Sequence, residues 1–178
     1  ARGCHAAIMV SEELGAVVKP QLGAKPVAVI PSCASERLFH FDPALRKTVR
    51  GRLQITDPQR LIVYAGSMAP HQGLPQLQAL LERLAGEPGV KLLIITPQIH
   101  EAACLVQGLP PEAVQVISAA FEEMNGFLCA ADFGILWRAT DSTNRVASPV
   151  KMAEYALTGL PVILNQGVLQ AWEWAGEI

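Results

Sequence analysis

"RLIVYAGSMAPHQGLPQLQALLERLAGEPGVKLLIIT", residues 60–96, decides the fold class. Leu61 to Ala65 is a continuous apolar run rather than an alternating one, the pattern of a strand covered on both faces of a parallel sheet. A loop bounded by Gly66 and Gly73 follows. Leu74, Leu77, Leu80, Leu81 and Leu84 then recur at helical spacing. A second apolar run, "VKLLIIT", closes the unit. Strand, helix and strand in this order predict a βαβ crossover and hence a parallel sheet.

The same grammar extends outward in both directions. "KPVAVIP" precedes this unit, and "AVQVIS", "DFGILW" and "LPVIL" follow it, each a short apolar run. Helical patterns lie between them: Phe121, Met124, Phe127 and Leu128 share one face, and Asp42-Pro43 reads as an N-cap with proline in the first turn. The expectation is an α/β chain with a Rossmann-like, doubly wound parallel sheet. "KPQLGAKP", residues 19–26, marks a soft boundary near residue 20, setting an opening strand-helix pair (His5 to Val18) apart from a domain over 21–178. Ligands of such folds gather at the carboxyl ends of the strands.

Composition narrows the function classes. The chain has 178 residues, long enough for a sizeable core. It is 51% hydrophobic and 17% charged, with a formal net charge of -2, which argues against disorder and against a nucleic-acid partner. No apolar run has the length of a membrane span. Cys4, Cys33, Cys104 and Cys129 show no metal-ligand spacing, the four histidines are scattered, and a reduced, cytoplasmic compartment is the default. "ARGCHAAIMV" begins without methionine or signal-peptide form, and "VLQAWEWAGEI" stops inside a helical pattern, so the chain reads as part of a longer protein.

Three stretches carry candidate chemistry. "SPVKMAEYALTGLPV", residues 148–162, opens a helix with Ser148 as the expected N-cap and Pro149 at the first helical position. A cation, Lys151, in that first turn opposes the helix dipole unless an anion binds there. Glu154, Tyr155 and Thr158 fall on its face, where a carboxylate below a phosphate site would accept hydrogen bonds from sugar hydroxyls. The pair reads equally well as an i,i+3 surface ion pair. The loop "YAGSMAPHQGL" matches neither GxGxxG nor a P-loop, and is either a ligand-approaching loop, with His71 as a contact, or a plain turn. "WRATDSTNRVASP" is a long polar connection in which Arg138 and Arg145 suit a phosphate, or are solvated. Arg46, Lys47, Arg50 and Arg52 form a basic helix face expected to be solvated. Trp172 and Trp174 are assigned to the core, with a partner domain as the other reading.

"VSEELG", "VAVIPSCASERLF", "RLIVYAGSMAPHQGLPQL", "FLCAADFGILWR" and "SPVKMAEYALTGLPVI" occur in the order that resembles glycosyltransferase family 4, the group 1 glycosyl transferases, over nearly the whole chain. The closing segment is similar to an SPxKxxEYxAxGxPV variant. The resemblance implies the C-terminal, sugar-nucleotide-binding half of a GT-B fold, with residues 1–20 the tail of the N-terminal half. It also implies that Glu154, the second glutamate of E-x7-E, binds donor ribose, that Ser148 and Lys151 stand near the diphosphate, and that the base lies near Thr96 and Ile117 to Ala119. Three departures stand out. Val146 occupies the first glutamate's position. Ser67 and Gln72 replace the arginine and lysine of the loop at Gly66. The turn after "PVI" keeps only Gly167. Charge neutralisation then falls to Arg138, Arg145, Lys151 or main-chain N–H groups.

The implied activity is transfer of a sugar from a nucleoside diphosphate, UDP- or GDP-linked, to a glycan or lipid-linked acceptor, with retention and no cofactor or metal. The catalytic groups and acceptor site are expected in the N-terminal domain of the same protein, with the whole at the inner face of the membrane. The truncated piece is expected to be inactive alone and to self-associate. Two other classes remain: a GT-B-like scaffold that has lost its chemistry, and an unrelated doubly wound module of receiver type.

Overall fold

The computed structural model describes residues 3–176. It opens with β1 (Ala7–Met9), α1 (Glu12–Leu22) and β2 (Val27–Val29). α2 (Pro43–Arg52), β3 (Arg60–Ala65), α3 (Leu74–Ala85), β4 (Val90–Ile95), α4 (Ile99–Leu105) and β5 (Val114–Ile117) follow. The chain ends through α5 (Met124–Ala130), β6 (Phe133–Leu136), the short α6 (Ser142–Arg145), α7 (Val150–Leu157), β7 (Val162–Leu164) and α8 (Leu169–Gly176). Five strands form one parallel sheet in the order β5-β4-β3-β6-β7. The run at 25–31 forms a strand, but β2 pairs in parallel with β1 as a separate two-stranded sheet instead of joining the five.

The sheet is covered on both faces, as its continuous apolar runs require. On β3, Leu61, Val63 and Ala65 face a core shared with α2, α5, α7 and α8, whereas Ile62 and Tyr64 face α3 and α4. β4 alternates likewise, with Leu93 and Ile95 on the first side and Leu92 and Ile94 on the second. The leucine face read between 74 and 84 supplies Leu77 and Leu81, both fully buried. Asp42 caps α2 as expected, its carboxylate accepting from the N–H groups of Ala44 and Leu45. Trp174 packs on the first core; Trp172 is exposed.

Two of the four basic residues of α2 correct the solvated reading, Arg46 and Arg50, whereas Lys47 and Arg52 are exposed as expected. Arg46 donates to the carbonyls of Cys129, Ala130 and Ala131, which are the orphan acceptors at the end of α5. Arg50 is buried and donates to Ala130 O and Gln59 O. Both guanidiniums meet one carboxylate, Asp132, at 2.7 and 3.1 Å. Arg52 lies over the Phe127 ring at 4.8 Å. Helical spacing alone could not reveal a partner about eighty residues away in sequence, so the charges looked like a surface stripe.

Asp132 is also the point where β6 joins β3. Its carboxylate accepts from Leu61 N–H at 2.8 Å, and its own N–H donates to Leu61 O at 2.7 Å. Burial pushes the Asp132 carboxyl up, but the Leu61 N–H and the two guanidiniums outweigh it and hold the group below its ordinary value. A depressed carboxyl contributes stability above its unfolded pKa, near about 4, and loses that contribution as pH falls through the folded value. Asp132→Asn is expected to cost about 3–5 kcal/mol, because two guanidiniums lose the carboxylate between them and Arg50 keeps only the exposed Asp57, at 3.6 Å. Urea denaturation checks this: the wild type should weaken as pH falls below about 4, and the difference between variant and wild type should shrink over the same range.

Candidate functional site

The strand order places a topological switch at the centre of the sheet. The chain leaves β3 for β4 and β5 on one side, then returns to β6 on the other. Crevices at the carboxyl ends of such neighbours are where open α/β sheets take ligands. A cavity of about 250 Å³ lies at the ends of β3, β4 and β5, lined by Gly66, Thr96, Pro97, Ser118, Ala119 and Lys151 among others. A larger one, about 330 Å³, sits at the opposite, amino ends of β3 and β4 against Leu53, Ile55 and Pro111. The smaller cavity is the better candidate, because it adjoins the switch and carries a cation from the start of a helix.

The residues singled out in the sequence do not all meet there. Gly66, Thr96 and Lys151 line the cavity. Thr96 is buried, and its hydroxyl donates to Gln98 Oε1 at 3.2 Å, while Gln98 Oε1 accepts from Met68 N–H at 3.1 Å. The end of β4 is thereby tied to the loop after β3. Ser67 and Gln72 engage each other: the buried Gln72 amide donates to Ser67 Oγ at 3.1 Å. Tyr64 donates to Ser67 O at 2.9 Å, and burial pushes its phenol up to about 12, with the Arg138 guanidinium pulling the other way.

Gly66 and Gly73 answer to the chain's own packing. A Cβ on Gly66 would stand 3.0 Å from the Tyr64 hydroxyl. Gly73 has φ 66°, and a Cβ there would lie 2.8 Å from Ala139 N. This close approach is held by Asn144, a buried residue that sequence reasoning missed. Its Nδ2 donates to His71 O at 2.6 Å and to Ala139 O at 3.0 Å, while Ala139 N–H donates to the same His71 carbonyl. The side chain of Asp141, N-cap of α6 and accepting from Asn144 N–H at 2.7 Å, was the available signal.

Arg138 follows β6 and is wedged by its neighbours. Its N–H donates to Asn165 Oδ1 and its carbonyl accepts from Asn165 Nδ2. Gly167 presses against it so closely that a Cβ would fall 2.5 Å from Arg138 O. Burial lowers the guanidinium pKa, with Tyr64 and Tyr155 acting to raise it. No carboxylate pairs with Arg138 among the described residues, and its Nε is buried without a hydrogen-bond partner. Arg145, at the end of α6, is exposed.

α7 differs from its expected form in two ways. Ser148 does not cap it: Pro149 is the N-cap residue, no side chain caps the helix, and Ser148 Oγ instead accepts from Ser32 N–H at 2.9 Å. The N–H of a residue distant in sequence has displaced the local helix N–H as the hydroxyl's partner. Tyr155 and Thr158 belong to the core. Tyr155 is fully buried, its hydroxyl donating to Ile135 O at 3.3 Å, and Thr158 Oγ1 bonds back to the carbonyls of Glu154 and Tyr155. Lys151 and Glu154 do pair, at 2.6 Å. Glu154 is only 3% exposed, so the pair is no solvated surface bridge. Lys151, which lines the cavity, donates to Oε2 of the nearly buried Glu154 carboxylate, and a cation so placed suits a ligand with an anionic group.

No protein-family model matches the sequence. No curated protein matches it closely enough to count as a relative. Solved structures do match in shape. WaaG, a glycosyltransferase involved in lipopolysaccharide biosynthesis, superposes with a TM-score of 0.72 at 18% identity over 95% of this chain and 46% of its own. HepE of Anabaena, in complex with UDP-glucose, gives 0.69 at 17% identity over 90% and 44%. The C-terminal domain of LpcC, a glycosyl transferase group 1 family protein from Francisella tularensis, gives 0.55 at 14% identity over 75% and 71%. The chain thus spans about half the length of the first two. Its fold is an α/β domain with a five-stranded parallel sheet, the architecture of one half of the GT-B glycosyltransferases.

Proposed function

We propose that this chain is the donor-binding domain of a glycosyltransferase that moves a sugar from a nucleoside diphosphate to a glycan or lipid-linked acceptor. The observation that carries the reading is Lys151 at the wall of the carboxyl-end cavity with Glu154 paired to it, in a fold similar to that of HepE, which was solved in complex with UDP-glucose. The base occupies the cavity between Gly66, Thr96 and Ala119. Glu154 accepts from the ribose hydroxyls, and Lys151 and Arg138 face the diphosphate. Arg138 fits that role because it is partly desolvated, cationic and without an acidic partner, so an anion gains more there than at an exposed arginine. Ser67, Gln72 and Ser148 complete the surroundings through hydrogen bonds and carry no charge.

Chemistry in such a site is chiefly electrostatic: a leaving diphosphate is stabilised as charge develops on it. The catalytic groups, acceptor site and retaining course are assigned to a preceding half of the protein, acting in the cytoplasm or on the inner face of a membrane. The β1–β2 sheet supports that division. A two-stranded parallel sheet is not a stable unit alone. α1 covers one face of it, while Ile8 is 68% exposed and Ile30 54% exposed on the other. β1, α1 and β2 then continue a sheet of that half, and the chain without it associates with itself through this apolar face.

The scaffold reading has one observation in its favour: Gln72 and Ser67 satisfy each other where the resembled family has two cations. Calorimetric titration with UDP, GDP and ADP separates the two. The donor reading expects saturable binding of one nucleotide, weakened about tenfold or more by Glu154→Ala, the loss of a charge-assisted hydrogen bond of about 1.5–3 kcal/mol. Absence of binding to a folded sample, or equal binding by the variant, rejects the site. Arg138→Ala is expected to weaken the nucleoside diphosphate by about tenfold and leave the nucleoside unchanged. A matching loss for the nucleoside would place Arg138 outside the diphosphate site.

A further inference from the structure

We propose that the Ser148 hydroxyl is the joint through which the β1–α1–β2 unit positions the entrance of α7, and with it Lys151 and Glu154. The unit touches the segment before α7 at alternate residues. Ser11 Oγ donates to Val146 O at 2.8 Å, and Ser32 N–H donates to Ser148 Oγ at 2.9 Å. A third bond, from Gln170 Nε2 to Val10 O at 3.2 Å, ties the unit to α8. Ser11 is fully buried and uses its hydroxyl twice, donating to Val146 and accepting from Leu14 N–H at 3.1 Å to cap α1. One serine therefore fixes both the start of α1 and the approach to α7.

α7 needs such a fixture. Its far end is anchored in the core by Tyr155 and Thr158, but its near end has no side-chain cap. Residues 146–149 make no strand pairing, so their position is set by what they bond to. Val146 and Ala147 donate their N–H groups to Asn144 O on one side, and two further bonds, to Val146 O and Ser148 Oγ, come from elements more than a hundred residues earlier. Lys151 lies in the first turn after this segment, and its ammonium reaches Glu154. A shift at Ser148 passes directly into the helix turn that carries Lys151. The hydroxyl that accepts from Ser32 still has its own proton to donate, and accepting one bond strengthens the other. Ligand binding at α7 and docking of the 7–32 unit are then linked, each favouring the other.

The ligand side of this joint rests on the donor reading; the positional side does not. The test is amide hydrogen exchange at Ser32, followed by NMR on the intact chain with and without UDP. Ser148→Ala should speed Ser32 exchange by about fivefold to tenfold, the scale of one hydrogen bond, and weaken UDP about threefold to tenfold. Ser148→Thr, which keeps a hydroxyl, should restore both. Saturating UDP should slow Ser32 exchange in the wild type, a response that simple loss of stability would not produce. If UDP binds and neither Ser32 exchange nor the Ser148→Ala affinity responds, the joint is overturned. If UDP fails to bind the wild type, the donor reading falls, and Lys151→Met decides the joint: faster Ser32 exchange supports it, and unchanged exchange removes it.

Discussion

Asp132 is the constraint from which the rest of the structure follows. It stands one residue before β6 and binds Arg46, Arg50 and the N–H of Leu61 at once. These contacts fix three things together: α2 against the sheet, the end of α5, and the register of β6 on β3 (Ile62 beside Phe133, Val63 beside Gly134). A buried carboxylate between two guanidiniums adds little net stability compared with apolar packing. Its directional contacts suit it to specifying a register. A one-residue slip would turn every side chain of a two-faced strand to the wrong core.

From that register the site follows in short steps. Gly134 comes opposite Val63, and a Cβ there would lie 2.9 Å from the Tyr155 ring. The missing side chain lets α7 seat its tyrosine on β6, with the hydroxyl reaching Ile135 O. Burial raises the Tyr155 pKa, with the Glu154 charge adding to it, so the phenol stays a neutral donor. The same helix carries Lys151 to the cavity edge, with Glu154 paired to it behind that turn. The same pairing of β3 with β6 opens the switch point, so that Gly66 follows one strand and Arg138 the other.

How much of this was legible depended on the range of each interaction. The strands and α3 were readable because a parallel sheet covered on both faces writes a local apolar code, and Asp42 was readable because its cap lies within three residues. Arg50 and Ser148 were misread for the opposite reason. Their local roles, solvated cation and N-cap, are what the sequence favours, but partners about eighty and more than a hundred residues away outcompete them. Tyr155 shares a helical face with Lys151 by spacing, yet one end of that face is core and the other is cavity wall. Spacing gives the face and says nothing of where along it the protein surface begins. At the candidate site the Lys151–Glu154 pairing was readable from its i,i+3 spacing; the Asn144 tether and the Asn165–Arg138 exchange were not, since both are made between loops.

The electrostatics of the crevice point to a division of labour between fixed and free charges. Ser67 and Gln72 neutralise nothing; they hold the loop after β3 in shape, with Tyr64 and Gln98 at its ends. Lys151 is already committed to Glu154. Arg138 is the described cation near the switch point that has lost solvent without gaining a carboxylate. Stripping water from a guanidinium is unfavourable without a counter-charge, and the Arg138 main chain that carries it is fixed by Asn165 on both its N–H and its carbonyl, with Gly167 and Gly73 packed against it. An anion entering the cavity would compete with Glu154 for Lys151, the cation that lines it.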